Sequence, residues 1–156
     1  MTPDLLLRSA TAADVPRLTE LVHAAYGHYV ERIGGPPGPM TDDYANIVGR
    51  SAVTVAELDG AIVGLVVLSA DGDEGFLIDN VAVDPTQQGV GVGRALLEHA
   101  EQEARRAGFD STYLYTHETM TENLDLYARI GYVEYDRRTE GKLSRVFLRK
   151  QLAPQP

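Results

Sequence analysis

The stretch Val81-Ala82-Val83-Asp84-Pro85-Thr86-Gln87-Gln88-Gly89-Val90-Gly91-Val92-Gly93-Arg94-Ala95-Leu96-Leu97 decides how this chain is read. An apolar run ends at Asp84-Pro85, glycine recurs at positions 89, 91 and 93, and an apolar helical pattern begins at once. The order is strand, turn, helix. Glycine permits positive φ and close approach to the main chain, and the helix that follows aims unpaired N–H groups and the positive end of its dipole back at the turn. Such a junction suits a phosphate or pyrophosphate; a glycine-rich turn with no ligand has the same spacing.

Working outward on the N-terminal side, Ala52–Leu58 and Ala61–Ala70 are rich in Val and Leu, with the hairpin signal Asp59-Gly60 between them. Asp71 to Gly75 predicts the next turn and Phe76–Val83 the strand that enters the glycine loop. Consecutive strands without helices predict an antiparallel meander. Further upstream, Leu5–Arg8 reads as a first strand. Thr11 to Asp14 has capping-box form, and Leu18, Leu21, Val22, Ala25 and Tyr26 recur at helical spacing. The cluster Gly34 to Pro39 is expected to be irregular, with a short helix over Asp42–Val48.

On the C-terminal side, Leu96, Leu97, Ala100 and Ala104 form one helical face and Glu98, Glu101, Gln102, Arg105 and Arg106 the other, with Gly108 as the stop. Thr112–Thr116 follows as a strand, so strand, glycine loop, helix and strand make one right-handed crossover between parallel strands. Glu122–Ile130 is a last short helix, and Tyr132–Tyr135 and Leu143–Arg149 a closing pair of strands joined by the polar turn Arg137 to Lys142. Residues 1–152 are expected to form one domain, with 153–156 a loose tail.

With 156 residues, 44% hydrophobic and 24% charged, the chain is long enough for a sizeable core. It contains no cysteine, which excludes disulfides, thiolate metal sites and a cysteine nucleophile. No apolar run approaches the ~20 residues of a membrane span, and the start has no signal-peptide pattern, so a cytoplasmic protein without membrane partners is expected. A formal charge of −9 argues against nucleic acid and accords with a cationic acceptor. His23, His28 and His99 are scattered without metal-ligand spacing, so no metal is expected.

Two nucleotide-binding patterns fit poorly. A Walker A loop needs Lys-Ser or Lys-Thr where Arg94-Ala95 stands. A dinucleotide fingerprint needs Gly-x-Gly-x-x-Gly in the first unit of an alternating sheet, whereas this loop is Gly-x-Gly-x-Gly and follows a meander. Gln88-Gly89-Val90-Gly91-Val92-Gly93 instead resembles the Gln/Arg-x-x-Gly-x-Gly/Ala motif of the GNAT superfamily of acetyl-CoA-dependent N-acetyltransferases. Asn123, Tyr127 and Gly131-Tyr132 resemble that family's second signature, and the resemblance covers essentially the whole chain.

The resemblance implies an α/β (α+β) fold, a mixed sheet of six or seven strands with helices on both faces, splayed into a V between strands 4 and 5. Acetyl-CoA would lie in the V as co-substrate, with Val81, Ala82 and Val83 along its pantetheine arm. Gln88, Gly89, Val90, Gly91, Val92, Gly93 and Arg94 would hold its pyrophosphate. It also implies acetyl transfer to an amine of a small molecule or peptide by direct attack, in a monomer or homodimer. Tyr127 matches the general acid, and Asn123, one helical turn earlier, faces the same ligand. The alternatives for these two are a core tyrosine and a helix cap.

Alternation places Leu77, Asp79 and Val81 on one strand face and Ile78, Asn80 and Ala82 on the other unless a bulge intervenes. Some family members carry a catalytic Glu at the Leu77 face, and here Asp79 is the nearest carboxylate. Asp79 is therefore a candidate base, or an acid that pairs with an arginine or attracts a cationic acceptor. His117 and Glu118, just beyond the next strand, are the second base candidates, with Glu118 also expected at the acceptor and a merely exposed loop histidine as the alternative for His117. Tyr26, Tyr29, Ile33 and Met40 predict an apolar wall to the acceptor pocket, or else a seal between helix and sheet. A non-catalytic acyl-CoA-binding domain is the alternative function.

Overall fold

The computed structural model describes residues 5–34, 38–50, 52–87, 91–141 and 143–153. Strand β1 (Leu5–Ser9) leads through a 3-10 turn (Ala12–Asp14) into α1 (Val15–Tyr26). Three short helices follow: α2 (Val30–Ile33), α3 (Gly38–Thr41) and α4 (Tyr44–Arg50). The meander is β2 (Ala52–Leu58), β3 (Ala61–Gly72) and β4 (Gly75–Val83). Then come α5 (Val92–Arg106), β5 (Ser111–His117), α6 (Thr121–Arg129), β6 (Val133–Glu140) and β7 (Leu143–Gln151). Among the described residues no helix is long and apolar enough to cross a membrane.

All seven strands join one mixed sheet in the order β1-β2-β3-β4-β5-β7-β6. Strand β7 thus inserts between β5 and β6, antiparallel to both. The crossover through α5 makes β4 and β5 parallel, yet they pair only at Phe76–Thr112 and Leu77–Tyr113 before separating. This is the V between strands 4 and 5. Helices cover both faces. One cluster packs α5, with Leu96, Leu97 and Ala100, and Tyr127 of α6 on the sheet; the other packs Leu18, Leu21 and Val22 of α1 and Ile47 of α4 on the opposite side. Coverage on both sides explains why β3 reads as an unbroken apolar run: its side chains alternate between the two clusters and none faces water from Ile62 to Leu68.

Several expectations need correction. The cluster at 34–39 is not irregular to its end, because Gly38 and Pro39 open the helical turn of α3, where a proline in the first turn costs no hydrogen bond. The turn expected at Asp71 to Gly75 is shorter, since β3 continues through Gly72. The polar segment expected as a turn at Arg137 to Lys142 is strand through Glu140: β6 is an edge strand whose exposed side chains leave no apolar pattern to read. Glu101, expected on the solvent face of α5, is buried and meets the Lys150 ammonium of β7 at 2.5 Å.

The correction with most effect concerns β4. Asn80 pairs with Val67 and Ile78 with Leu68, which leaves Asp79 as an extra residue, a β-bulge. The bulge reverses the alternation. Ile78 packs in the α5 cluster, whereas Ala82 packs with α1 and Asn80 bonds to Tyr26 and Tyr44 on that same side. Asp79 itself is exposed rather than buried in the strand.

Two contacts fix where α1 and α5 sit. Arg8 of β1 makes paired hydrogen bonds to Asp14 (2.8 and 3.0 Å) and one to Glu57 of β2 (2.7 Å), while Asp14 also accepts the Thr11 N–H. The Arg8 guanidinium, with the Thr11 amide, holds the Asp14 carboxyl far below the usual carboxylate range despite its burial. At the other helix, Gly64 lets α5 lie close: a Cβ there would meet Val92 Cγ1 at 2.8 Å and Leu96 Cδ1 at 3.0 Å.

A depressed folded pKa stabilises above the unfolded pKa and is lost as pH falls through the folded value. Asp14→Asn is therefore expected to cost about 1–3 kcal/mol at pH 7, with the gap to the native chain narrowing below about pH 4. Urea titrations at pH 7 and pH 3 measure it. Gly64→Ala is expected to lower stability by about 1–3 kcal/mol in the same assay by forcing α5 off the sheet.

Candidate functional site

The parting of β4 and β5 opens a groove and a pocket that meet. The groove, a cavity of about 470 Å³, runs along Val81, Ala82 and Val83 to Gly91, Val92, Gly93 and Arg94. Its far wall is α6, through Asn123, Leu126 and Tyr127. The pocket, about 250 Å³, lies deeper between β4 and β5, and Asp79, Asn80, Tyr115, His117 and Arg145 are among its lining residues. Tyr26, Val81, Asn123 and Tyr127 line both.

The groove has the chemistry of an anion and strand-like site. Gly91 holds φ +87° at the start of α5, a conformation that favours glycine. The first helical bond runs from the Ala95 N–H to the Gly91 carbonyl, so the amides of Val92, Gly93 and Arg94 have no acceptor within the helix. Arg94 and Arg129 add cationic side chains to the wall. Asp84 secures the entry to the loop by accepting the Thr86 N–H and hydroxyl and pairing with Arg17 of α1 at 2.9 Å. Beyond Leu77, the edge of β4 that faces β5 has no strand partner among the described residues. Gln88, Gly89 and Val90 lie outside the described residues.

Tyr127 is 7% exposed and packs edge-on against Tyr132, with ring centroids 5.9 Å apart. Its hydroxyl makes no hydrogen bond to any described residue. Burial, reinforced by the neighbouring Tyr29 phenol, pushes its pKa up to about 12. Tyr127 is thus a neutral phenol with its proton in place at neutral pH. Asn123 stands one helical turn before it and borders the same spaces.

A hydrogen-bonded chain ties the pocket roof to β4. The Tyr26 hydroxyl shares its proton between Asn80 Oδ1 (2.7 Å) and the Val81 carbonyl (2.8 Å). Asn80 donates to the Tyr44 hydroxyl (3.1 Å), which donates to the Pro39 carbonyl (2.8 Å). Burial raises both phenols well above their usual range. Neither Asn80 nor Tyr44 was apparent from sequence, because the bulge that turns Asn80 toward α1 has no local signal.

The other expected residues distribute unevenly. Ile33 lines the pocket. Tyr29 lines the groove instead, its hydroxyl donating to Glu122 at 3.0 Å, because it sits one turn beyond Tyr26 on the chain leaving α1. Met40 borders neither cavity and packs against the α1 cluster. Glu118 also stands apart: it is exposed and faces Arg137 at 3.8 Å, since the chain has turned away from β5 by that point. His117 lines the pocket, but its Nδ1 accepts the Thr119 N–H at 3.2 Å. That bond assigns the proton of the neutral ring to Nε2, so the ring donates where a base would accept.

Sequence reasoning also missed Tyr115 and Arg145. Tyr115 is raised by burial first and then by Asp79, with Arg145 acting in the opposite direction, so acidic and basic groups flank one phenol. Arg145 was out of reach because only the insertion of β7 beside β5 brings it opposite His117.

The profile of the acetyltransferase (GNAT) family matches residues 17–132. An "IAA acetyltransferase" of Azospirillum brasilense is 33% identical over 81 residues, and the match spans about half of each protein, 51% of this chain and 53% of that one. Among solved structures, the PaiA N-acetyltransferase of Thermoplasma acidophilum in complex with coenzyme A superposes with a TM-score of 0.80 at 16% identity, over 95% of this chain and 99% of that one. The ribosomal-protein-S18-alanine N-acetyltransferase of Escherichia coli gives 0.75 at 21% identity, over 98% and 97%. These two likenesses concern the fold.

Asn80→Ala is expected to leave the Tyr26 and Tyr44 hydroxyls short of a buried partner and to destabilise the chain by about 1–3 kcal/mol, read from urea unfolding. Asn80→Asp, which keeps the acceptor but loses the donor to Tyr44, is expected to fall between the two.

Proposed function

We propose that this chain, which belongs to the GNAT acetyltransferase family, is an acyltransferase that moves the acetyl group of acetyl-CoA to a primary amine of a small molecule or peptide, by direct attack within a ternary complex. The observation that carries this reading is the meeting of two unlike cavities on Tyr26, Val81, Asn123 and Tyr127. One cavity suits a long phosphate-bearing thioester and the other a small acceptor, and they join beside a phenol that has kept its proton.

The groove fits the donor. Free amides at the head of α5, the cations Arg94 and Arg129, and the open edge of β4 at Val81 to Val83 match a pyrophosphate followed by a peptide-like arm. Acetyl transfer makes a C–N bond and breaks a C–S bond, so the sulfur leaves with the electron pair and the amine loses a proton. Tyr127 donates its phenolic proton in a hydrogen bond to the departing sulfur, and Asn123 orients the same end of the donor. Asp79, carried outward by the bulge, draws the ammonium into the pocket and takes one proton to free the amine; the second N–H proton, released once the C–N bond has formed, ends on the sulfur, which leaves as the thiol. Displacement of water from the groove strengthens each of these interactions.

The test is release of free coenzyme A thiol from acetyl-CoA on addition of small amines, amino acids, polyamines and peptides in turn. Acceptor-dependent release is expected. If acetyl-CoA raises the melting temperature but no amine releases thiol, the domain binds acyl-CoA without turning it over. Tyr127→Phe is expected to lower kcat by about 10²-fold, with acetyl-CoA affinity within about twofold of the native chain; an unchanged kcat removes the acid from Tyr127.

A further inference from the structure

Arg145 is a pocket arginine in a chain of net charge −9. Among the described residues its guanidinium makes no ion pair and no hydrogen bond. It stacks on the Tyr115 ring, 5.1 Å from guanidinium carbon to ring centroid. Its neighbours behave otherwise. Arg138, directly opposite on β6, is held by Glu74 and Asp136, and Arg137 by Glu134. A half-buried guanidinium stacked on an aromatic face keeps a fixed planar fork of N–H donors, the arrangement that grips a carboxylate through two bonds.

A second donor lies at the same level. His117 faces Arg145 across the β5–β7 ladder. Its Nδ1 is taken up by Thr119, and its Nε2 is buried without a hydrogen-bond partner among the described residues. The pocket lining also includes the carboxylates Asp42 and Asp79. Asp79 and Arg145 act in opposite directions on the same Tyr115 phenol, so an acidic and a basic group border one small cavity. At about 250 Å³ the cavity is small.

Building on acetyl transfer to an amine, we infer that the acceptor is a small amino-carboxylate, in class a free amino acid, whose carboxylate is gripped by Arg145 with help from His117 while its amine lies on the Asp79 side. An amine without a carboxylate leaves the Arg145 fork unmatched, and a long peptide exceeds the space. Arg145 is thus a specificity-determining residue.

The experiment compares L-amino acids, each against its own carboxamide, as acceptors for the intact chain and for Arg145→Gln and Arg145→Lys. The native chain is expected to favour the acid over the amide by about 10- to 100-fold in kcat/KM. That ratio is expected to collapse toward one in Arg145→Gln and to be intermediate in Arg145→Lys, which keeps the charge but loses the fork. Thermal unfolding confirms that the variants are folded, and the native ratio decides even if they are not. A native ratio at or below one, or an equal loss for both acceptors in Arg145→Gln, overturns the inference and leaves acetyl transfer standing. If no amine is acetylated, the transferase reading fails by itself. Calorimetric titration of the same pairs into protein saturated with coenzyme A then decides: selective binding of the acid sustains the carboxylate site, and equal or absent binding overturns it.

Discussion

Strands β4 and β5 stay hydrogen-bonded at Phe76–Thr112 and Leu77–Tyr113 and then part, and the extra residue at Asp79 falls just where they separate. A bulge bends its strand and increases its twist, so the remainder of β4 leaves the plane in which β5 continues. A parallel pair would ordinarily be filled by its own ladder; here the unpaired edge and the space beside it become the groove and the pocket. The same residue turns Asn80 toward α1, where it bonds to Tyr26 and Tyr44. Opening of the sheet and orientation of the pocket roof therefore share one cause.

The parts legible in sequence are those whose signals are local. The glycine run, the apolar face of α5, the meander and the Asn123–Tyr127 spacing each occupy a short window governed by backbone freedom or by a fixed period. They pointed to residues that the structure brings together along one cavity, and to an antiparallel meander followed by a parallel crossover. The bulge had no such signal. Phe76 to Val83 alternates well enough to pass for a regular strand, and one inserted residue exchanges every side chain after it between faces. The expectation of a buried acid at Asp79 failed for this reason.

Pairings remote in sequence were equally hidden. The last two strands were readable as a pair, but nothing in either one says that β7 lies inside and β6 at the edge. Tyr115 and His117 share a face of β5 by alternation, but Arg145 joins them only through that choice, so its place in the pocket had no sequence signature. Tyr29, Met40 and Glu118 show the converse: residue types suited to a pocket were close to it in sequence, yet helix and turn geometry aimed them at the groove, the core and the solvent. An apolar or acidic residue near a site is as readily a packing residue as a contact.

The insertion of β7 also orders the making of the molecule. The groove draws on residues no later than Arg129, whereas the pocket beside it is bounded by Arg145 of β7. On a chain emerging from its N-terminus, the α1, α5 and α6 surfaces are all present before β5 has gained its antiparallel partner on the side away from β4. Until then β5 is a bare edge and its pocket face is unfinished. The pocket is thus completed only with β7, and a truncation within that strand would remove Arg145 along with that edge while leaving the residues of the groove in place.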